Sequence, residues 1–257
     1  MPKKATPKAT YRRQRTTTSR EDAVTRELAQ LLVDSPIPPE EILFNLGLYM
    51  PSRILARALF MDDLYRRILT VHGEVMEFGT RWGQNAALFV SLRGIHEPFN
   101  RHRKVVAFDT FEGLRGVQAK DGRSSFMRNG ALAVSPRYDE HLERVLELKE
   151  KLDPVPHFKK YEVRKGLAQE QLAAYLHEHP ETIVALAFFD MDLYEPTRDC
   201  LKLLKERLTR GSVIAFDELN EPESPGETVA LHEVFGLDRI RLRRHPRVAR
   251  VSYFVVD

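Results

Sequence analysis

The sequence predicts an α/β protein built on a Rossmann-like, mostly parallel sheet, preceded by a helical extension and finished by an antiparallel hairpin. Three observations carry this expectation. Short apolar runs recur along the chain, amphipathic stretches separate most of them, and acidic residues stand at the ends of four of the first five runs. Strands that are apolar nearly throughout and alternate with helices belong to parallel sheets covered on both faces.

Residues 1–20 hold seven basic side chains and no acidic one, and their Lys, Thr and Pro content reads as a disordered basic tail. Val24, Leu28, Leu31 and Leu32 then predict a helix over Glu21–Val33, which Pro36, Pro38 and Pro39 break. A second helix opens at Glu40, and a third spans Ser52–Leu69, with Ile54, Leu55, Ala58, Leu59, Leu64 and Ile68 to one side. Residues 21–70 are thus expected as N-terminal helices ahead of a domain over 71–257. Strand character follows in Val75–Phe78, Val105–Phe108, Tyr161–Arg164, Ile183–Phe189 and Ser212–Phe216. Helical patterns cover Asn85–Leu92, Tyr138–Lys151, Leu167–His177 and Thr197–Leu208. Arg239–Arg244 and Arg250–Val256, close together around Pro246, read as an antiparallel pair.

Composition narrows the function classes. Of 257 residues, 42% are hydrophobic and 30% charged, a balance that excludes disordered and fibrous classes. The longest apolar run, Ile183–Phe189, falls far short of the ~20 residues that cross a bilayer, so no membrane partner is expected. The single cysteine, Cys200, cannot form an internal disulfide, and there is no apolar leader; both fit a cytoplasmic protein. The net charge of +3 comes from the tail. Beyond residue 20, 33 basic residues face 37 acidic ones, which argues against a nucleic-acid partner.

In parallel sheets ligands sit at the carboxyl ends of the strands, so chemistry is sought there. The first strand ends in Glu77-Phe78-Gly79-Thr80-Arg81-Trp82-Gly83. Gly79 and Gly83 permit a tight turn and close approach of backbone to a ligand. Their spacing departs from the G-x-G-x-x-G of dinucleotide sites and suits a ligand with an adenosine and an amino-acid tail. Asp109, followed by Thr110 and Phe111, ends the second strand, where a carboxylate can accept both hydroxyls of a ribose. Glu77 either accepts from the amine of such a ligand or caps backbone amides. Asp190 and Asp192 end the fourth strand, and Asp217 and Glu218 the fifth. If these strands are neighbours, the carboxylates converge, and a divalent cation of the Mg²⁺, Mn²⁺ or Ca²⁺ kind relieves their repulsion. The other reading gives them separate roles, with Asp192 capping a helix and Asp217 and Glu218 solvated.

In order along residues 70–237, E-F-G-x-x-x-G, F-D-T-F-E-G-L, F-D-M-D-L-Y-E-P-T, F-D-E-L-N and P-G-E-T-V-A-L-H-E-V-F resemble the macrocin O-methyltransferase family. The resemblance implies a class I S-adenosylmethionine-dependent methyltransferase sheet and methylation of a sugar hydroxyl in antibiotic biosynthesis. It implies a nucleotide-linked deoxysugar of the thymidine-diphosphate-rhamnose kind as substrate. It places cofactor binding on Glu77, Gly79, Thr80, Gly83, Asp109, Thr110 and Phe111. A divalent cation, Mg²⁺ by expectation, falls to Asp190, Asp217 and Glu218, and the general base to Asp192, with His232 in reserve. Glu218 departs from the second Asp usual in the family; its extra methylene keeps a hard oxygen ligand but changes its reach. Competing readings are a metal-dependent phenol or catechol O-methyltransferase and a non-catalytic protein that keeps the cofactor fold. The long Gly-containing segment 112–138 is expected to cover the acceptor, with Arg115, Lys120, Arg123 and Arg128 available to a diphosphate. The helical front end is expected to form the interface of a homo-oligomer.

Overall fold

The computed structural model describes residues 18–257. The expected basic tail therefore lies outside the described residues, except at its last three positions, where Ser19 and Arg20 already belong to the first helix. That helix, α1 (Ser19–Val33), opens on a capping box: the Glu21 amide donates to Thr18 Oγ1, and the Thr18 amide donates back to Glu21 Oε2. After the proline-rich break come the short α2 (Pro39–Ile42) and a 3-10 helix over Leu43–Tyr49. Helix α3 (Ser52–Arg67) is the first element rooted in the core, through Phe60, Met61, Leu64 and Tyr65, all fully buried.

The sheet follows as β1 (Glu74–Phe78), β2 (Val105–Asp109), β3 (Tyr161–Lys165), β4 (Val184–Phe189), β5 (Leu208–Phe216), β6 (Arg243–Arg244) and β7 (Ser252–Val255). Its strand order is β3-β2-β1-β4-β5-β7-β6. The first five strands run parallel, and β7 is antiparallel to both β5 and β6. The expected mostly parallel sheet with a closing antiparallel pair is what forms. Every residue of β4 is buried, as a strand covered on both faces requires.

Helices α4 (Gln84–His96), α5 (Tyr138–Leu152), α6 (Ala168–Glu178), α7 (Tyr194–Lys205) and α8 (Gly226–Phe235) complete the layers. One core packs α3, α4 and α5 against one face of the sheet, and a second packs α6, α7 and α8 against the other. The strand order reverses between β1 and β4, which opens a crevice above their carboxyl ends. No helix among the described residues is long and apolar enough to cross a membrane.

Candidate active site

A cavity of about 520 Å³ occupies that crevice, a size suited to small-molecule ligands. Its walls come from Gly79–Trp82 after β1, Asp109 and Thr110 after β2, Gly166–Gln169 after β3, Asp190–Leu193 after β4 and Asp217 after β5. Ile54 and Arg57 of α3 complete the lining.

One end is built of backbone and a single carboxylate. Gly79 has φ +88°, and a Cβ there would stand 2.0 Å from the Asp190 carbonyl oxygen, so no other residue fits between β1 and β4. Gly83, at φ +76°, starts α4 where a Cβ would strike the Leu142 methyl at 2.3 Å. Asp109 Oδ2 accepts from the Arg81 amide at 2.7 Å, and Oδ1 from the Phe111 amide at 2.5 Å. These bonds fix the rotamer and leave further lone pairs for a ligand. Burial pushes the Asp109 pKa up, against the pull of the two amides. Thr110 Oγ1 donates to the Gly113 carbonyl at 2.8 Å and ties the strand end to the following loop.

Of the residues expected at the cofactor, Gly79, Thr80, Asp109 and Thr110 line the cavity. Glu77, Gly83 and Phe111 do not line it. Glu77 is fully buried, and its Oε2 accepts from the Ala86 amide at 3.0 Å in the first turn of α4, the capping role of the two foreseen. Burial pushes its pKa up to about 8. Asp109→Ala is expected to weaken S-adenosylmethionine binding by about 1.5–3 kcal/mol, the worth of a charge-assisted hydrogen bond. Titration calorimetry reads this directly, and unchanged affinity removes Asp109 from the cofactor site.

The other end is acidic. Asp190 and Asp217 end the neighbouring strands β4 and β5 and converge on one guanidinium. Arg57 Nη2 lies 3.2 Å from Asp190 Oδ2, Nη1 donates to Asp217 Oδ1, and Nε donates to Asn85 Oδ1 at 3.0 Å. Burial works against the charge on Arg57, but Asp217 and Asp190 more than offset it and hold the group protonated. Burial and the neighbouring Asp217 push the Asp190 pKa well above the usual carboxylate range, with Arg57 opposing.

Asp192 also lines the cavity, only 8% exposed and in the left-handed region at φ +63°, a conformation Asp tolerates better than most residues. Glu227, fully buried at the start of α8, holds this turn: its Oε1 accepts from the Met191 amide at 2.8 Å and the Asp192 amide at 3.3 Å. Burial pushes the Glu227 pKa up to about 8. Burial, Asp190, Glu227 and Asp217 all push Asp192 well upward, and Arg250 offsets them only in part.

The structure does not bring Glu218 to this group. Its Oε1 accepts from Ser224 Oγ at 2.6 Å, and its Oε2 pairs with Arg250. Consecutive residues at a strand end point to opposite sides, so Asp217 entering the cavity sends Glu218 away from it. Among the described residues, no three His, Cys, Asp or Glu side chains are grouped to hold a metal ion. Of the three or four carboxylates expected to converge, Asp190, Asp192 and Asp217 line the cavity, with Arg57 bridging two of them. His232 is exposed on α8 and does not line the cavity.

The segment after β2 lies against the cavity through Gly113, Leu114, Arg115, Gly116 and Leu132. Buried Asp121 pins it, accepting from the Gln118 amide at 2.6 Å and from the Tyr194 amide at 2.6 Å at the start of α7. Of the four basic residues considered there, Arg115 alone lines the cavity, and it is paired with Glu112. The Lys120 ammonium lies 3.9 Å from the centre of the Tyr194 ring.

Two residues of the site escaped sequence reasoning. Arg57 carried a faint signal, a charge three residues from Ile54 and from Phe60 on the helix stripe that turns inward. Glu227 sits inside the P-G-E-T motif, but nothing in its spacing pointed to the end of β4.

A family model described as macrocin O-methyltransferase (TylF) matches residues 59–231. The crystal structure of CalS11, a calicheamicin methyltransferase, is 40% identical, covers 93% of this chain and 93% of that one, and superposes with a TM-score of 0.91. The apo structure of CalS11, described as a TDP-rhamnose 3'-O-methyltransferase of calicheamicin biosynthesis, is 38% identical over 93% of this chain and 95% of that one, with a TM-score of 0.83. The O-methyltransferase NovP shares the fold at 22% identity and a TM-score of 0.60, over 91% of this chain and 97% of that one. No curated protein sequence matches.

Proposed function

The chain belongs to the macrocin O-methyltransferase family, and from that premise we propose that it methylates a hydroxyl of a nucleotide-linked deoxysugar, with S-adenosylmethionine as methyl donor and a divalent cation at the acceptor. The observation that carries this reading is the polarity of the cavity, with Gly79 and Asp109 at one end and Asp190, Asp192 and Asp217 at the other. The likeness to an enzyme described as acting on TDP-rhamnose supports the choice of acceptor.

Asp109 accepts from the ribose diol, and the close approach allowed at Gly79 seats the amino-acid end of the cofactor. S-adenosylmethionine supplies its methyl on a sulfonium, so transfer to oxygen needs no redox step. What remains is alignment of oxygen, methyl carbon and sulfur, which the rigid strand ends supply. Asp190 and Asp217 share the positive charge of Arg57, which supports reading this pair as the holder of a divalent cation. Mg²⁺ is commonly held by one or two carboxylates with the rest of its shell left to water and substrate, so this pair suffices, and Glu218 serves to anchor Arg250. A divalent cation held by Asp190 and Asp217 would supply the charge that lowers the pKa of a sugar hydroxyl. A cation beside Asp190 and Asp217 would offset the repulsion that pushes the Asp192 pKa up in its absence. Asp192, ionised in that way, would take the proton from the hydroxyl as the methyl moves. Glu227 keeps Asp192 in position through the backbone, and the segment 112–138 covers the acceptor.

Acceptor competition tests this reading. Nucleotide deoxysugars are expected to be turned over, while catechols and free sugars are not. Turnover of catechols alone would assign the cavity to phenolic substrates, and binding of NAD in place of S-adenosylmethionine would overturn the assignment altogether.

A further inference from the structure

Positive charge is gathered in one short segment of the chain. Residues 239–250 hold Arg239, Arg241, Arg243, Arg244, Arg247 and Arg250 and no Asp or Glu, whereas the rest of residues 21–257 carries 27 basic against 37 acidic residues. All six arginines are exposed, and among the described residues only Arg250 is held in an ion pair. Like charges so gathered repel one another, a cost that a bound anion relieves. The sheet register sets this segment beside the cavity. Phe216, which precedes Asp217, pairs with Ser252 of β7, and Ser252 pairs with Arg244 of β6. With strands about 4.8 Å apart, Arg244 stands roughly 10 Å from the strand that delivers Asp217. Both β5 and β6 are antiparallel to β7, so β6 runs in the direction of β5. The turn that follows, residues 245–251, therefore emerges on the side of the carboxyl ends, where the cavity lies.

This turn is fixed in place. The buried His245 bonds Asp63 of α3 through Nε2 at 2.8 Å, and its Nδ1 accepts from the Arg247 amide at 3.2 Å. Arg250 pairs with Glu218, itself buried and held by Ser224 Oγ at 2.6 Å. Glu218 directly follows Asp217, and the charge of Arg250 acts on Asp192. A guanidinium carries five donors, so one carboxylate leaves part of Arg250 available. The basic residues expected at a diphosphate from the sequence are less well placed: Arg115 is paired with Glu112, and Lys120 lies against the Tyr194 ring. On the reading of the acceptor as a nucleotide-linked sugar, we propose that Arg247 and Arg250, backed by Arg244, form the site for its diphosphate. The planar fork of a guanidinium matches phosphate oxygens two at a time. A nucleic acid fits less well, because the positive strip is confined to a dozen residues of an otherwise acidic body.

Titration calorimetry of the full chain with thymidine diphosphate reads this site without turnover. The double variant Arg247→Gln, Arg250→Gln is expected to weaken thymidine diphosphate at least about tenfold, the worth of one charge-assisted hydrogen bond. The KM for a nucleotide deoxysugar is expected to rise by a like factor, with the effect falling on KM rather than kcat. S-adenosylmethionine affinity is expected to stay the same, which separates a lost anion site from a damaged fold. Arg247→Lys leaves Glu218 paired and keeps the charge but removes the fork, and its effect is expected to lie between. Unchanged thymidine diphosphate affinity in the double variant would overturn the proposal. So would an equal loss for thymidine, which has no phosphate, or RNA binding through these arginines by a chain that ignores thymidine diphosphate. A double variant that methylates a nucleotide sugar at unchanged KM ends the proposal and leaves the function standing. Thymidine diphosphate held by Arg247 and Arg250 in a chain that methylates no nucleotide sugar ends the function and leaves the anion site.

Discussion

Asp192→Asn is expected to slow methyl transfer by about 10²–10⁴-fold, the usual contribution of a general base, while leaving S-adenosylmethionine affinity unchanged. The substitution keeps the shape and removes the proton acceptor. Asp192 lines the cavity beside Asp190 and Asp217 but makes no ion pair with Arg57, so its loss leaves the shared cation position intact. Single-turnover kinetics separates this outcome from a binding defect. Glu227 provides the control. Glu227→Gln keeps an oxygen that can accept from the Met191 and Asp192 amides and is expected to cost far less than Asp192→Asn. If Asp192→Asn is instead rescued by excess Mg²⁺, Asp192 is a cation ligand and the base lies elsewhere.

Removal of divalent cations by a chelator is expected to abolish turnover, and Mg²⁺ added back to restore it. Asp190→Asn is expected to weaken Mg²⁺ binding in calorimetry and to recover part of its activity at high Mg²⁺. The competitor in this experiment is built into the fold, because Arg57 already pairs with both Asp190 and Asp217. A demetallated enzyme with full activity would make that guanidinium the only positive charge the acceptor needs. Chelation and the Asp192 variant thus probe different atoms of one site, and only the first responds to added cation.

Strands β2 and β4 were legible because they are apolar nearly throughout, and the acidic ends of β2, β4 and β5 pointed to the cavity. What the sequence concealed was tertiary in origin. The helix expected to run to Leu208 stops at Lys205, and β5 begins at Leu208, four residues before the expected Ser212. The intervening Thr209 and Arg210 are exposed, so this part of β5 lacks the apolar signature. The edge strand β6 keeps only Arg243 and Arg244 of the six residues expected, both exposed and with little to bury. Asp190, Asp192 and Asp217 line one cavity, whereas Glu218 turns away to Ser224 and Arg250, because adjacent side chains diverge at a strand end. Arg57 reaches its partners across 133 and 160 positions of sequence, a separation no local pattern encodes.

Mass spectrometry of a nucleotide deoxysugar, incubated with the enzyme, Mg²⁺ and S-adenosylmethionine bearing an isotopically labelled methyl, tests the central claim most directly. The account predicts one labelled methyl on a sugar oxygen, transferred only when enzyme and cation are both present. Label that remains on the cofactor across a panel of nucleotide sugars, or that appears on the base or on a carbon of the sugar, would contradict it.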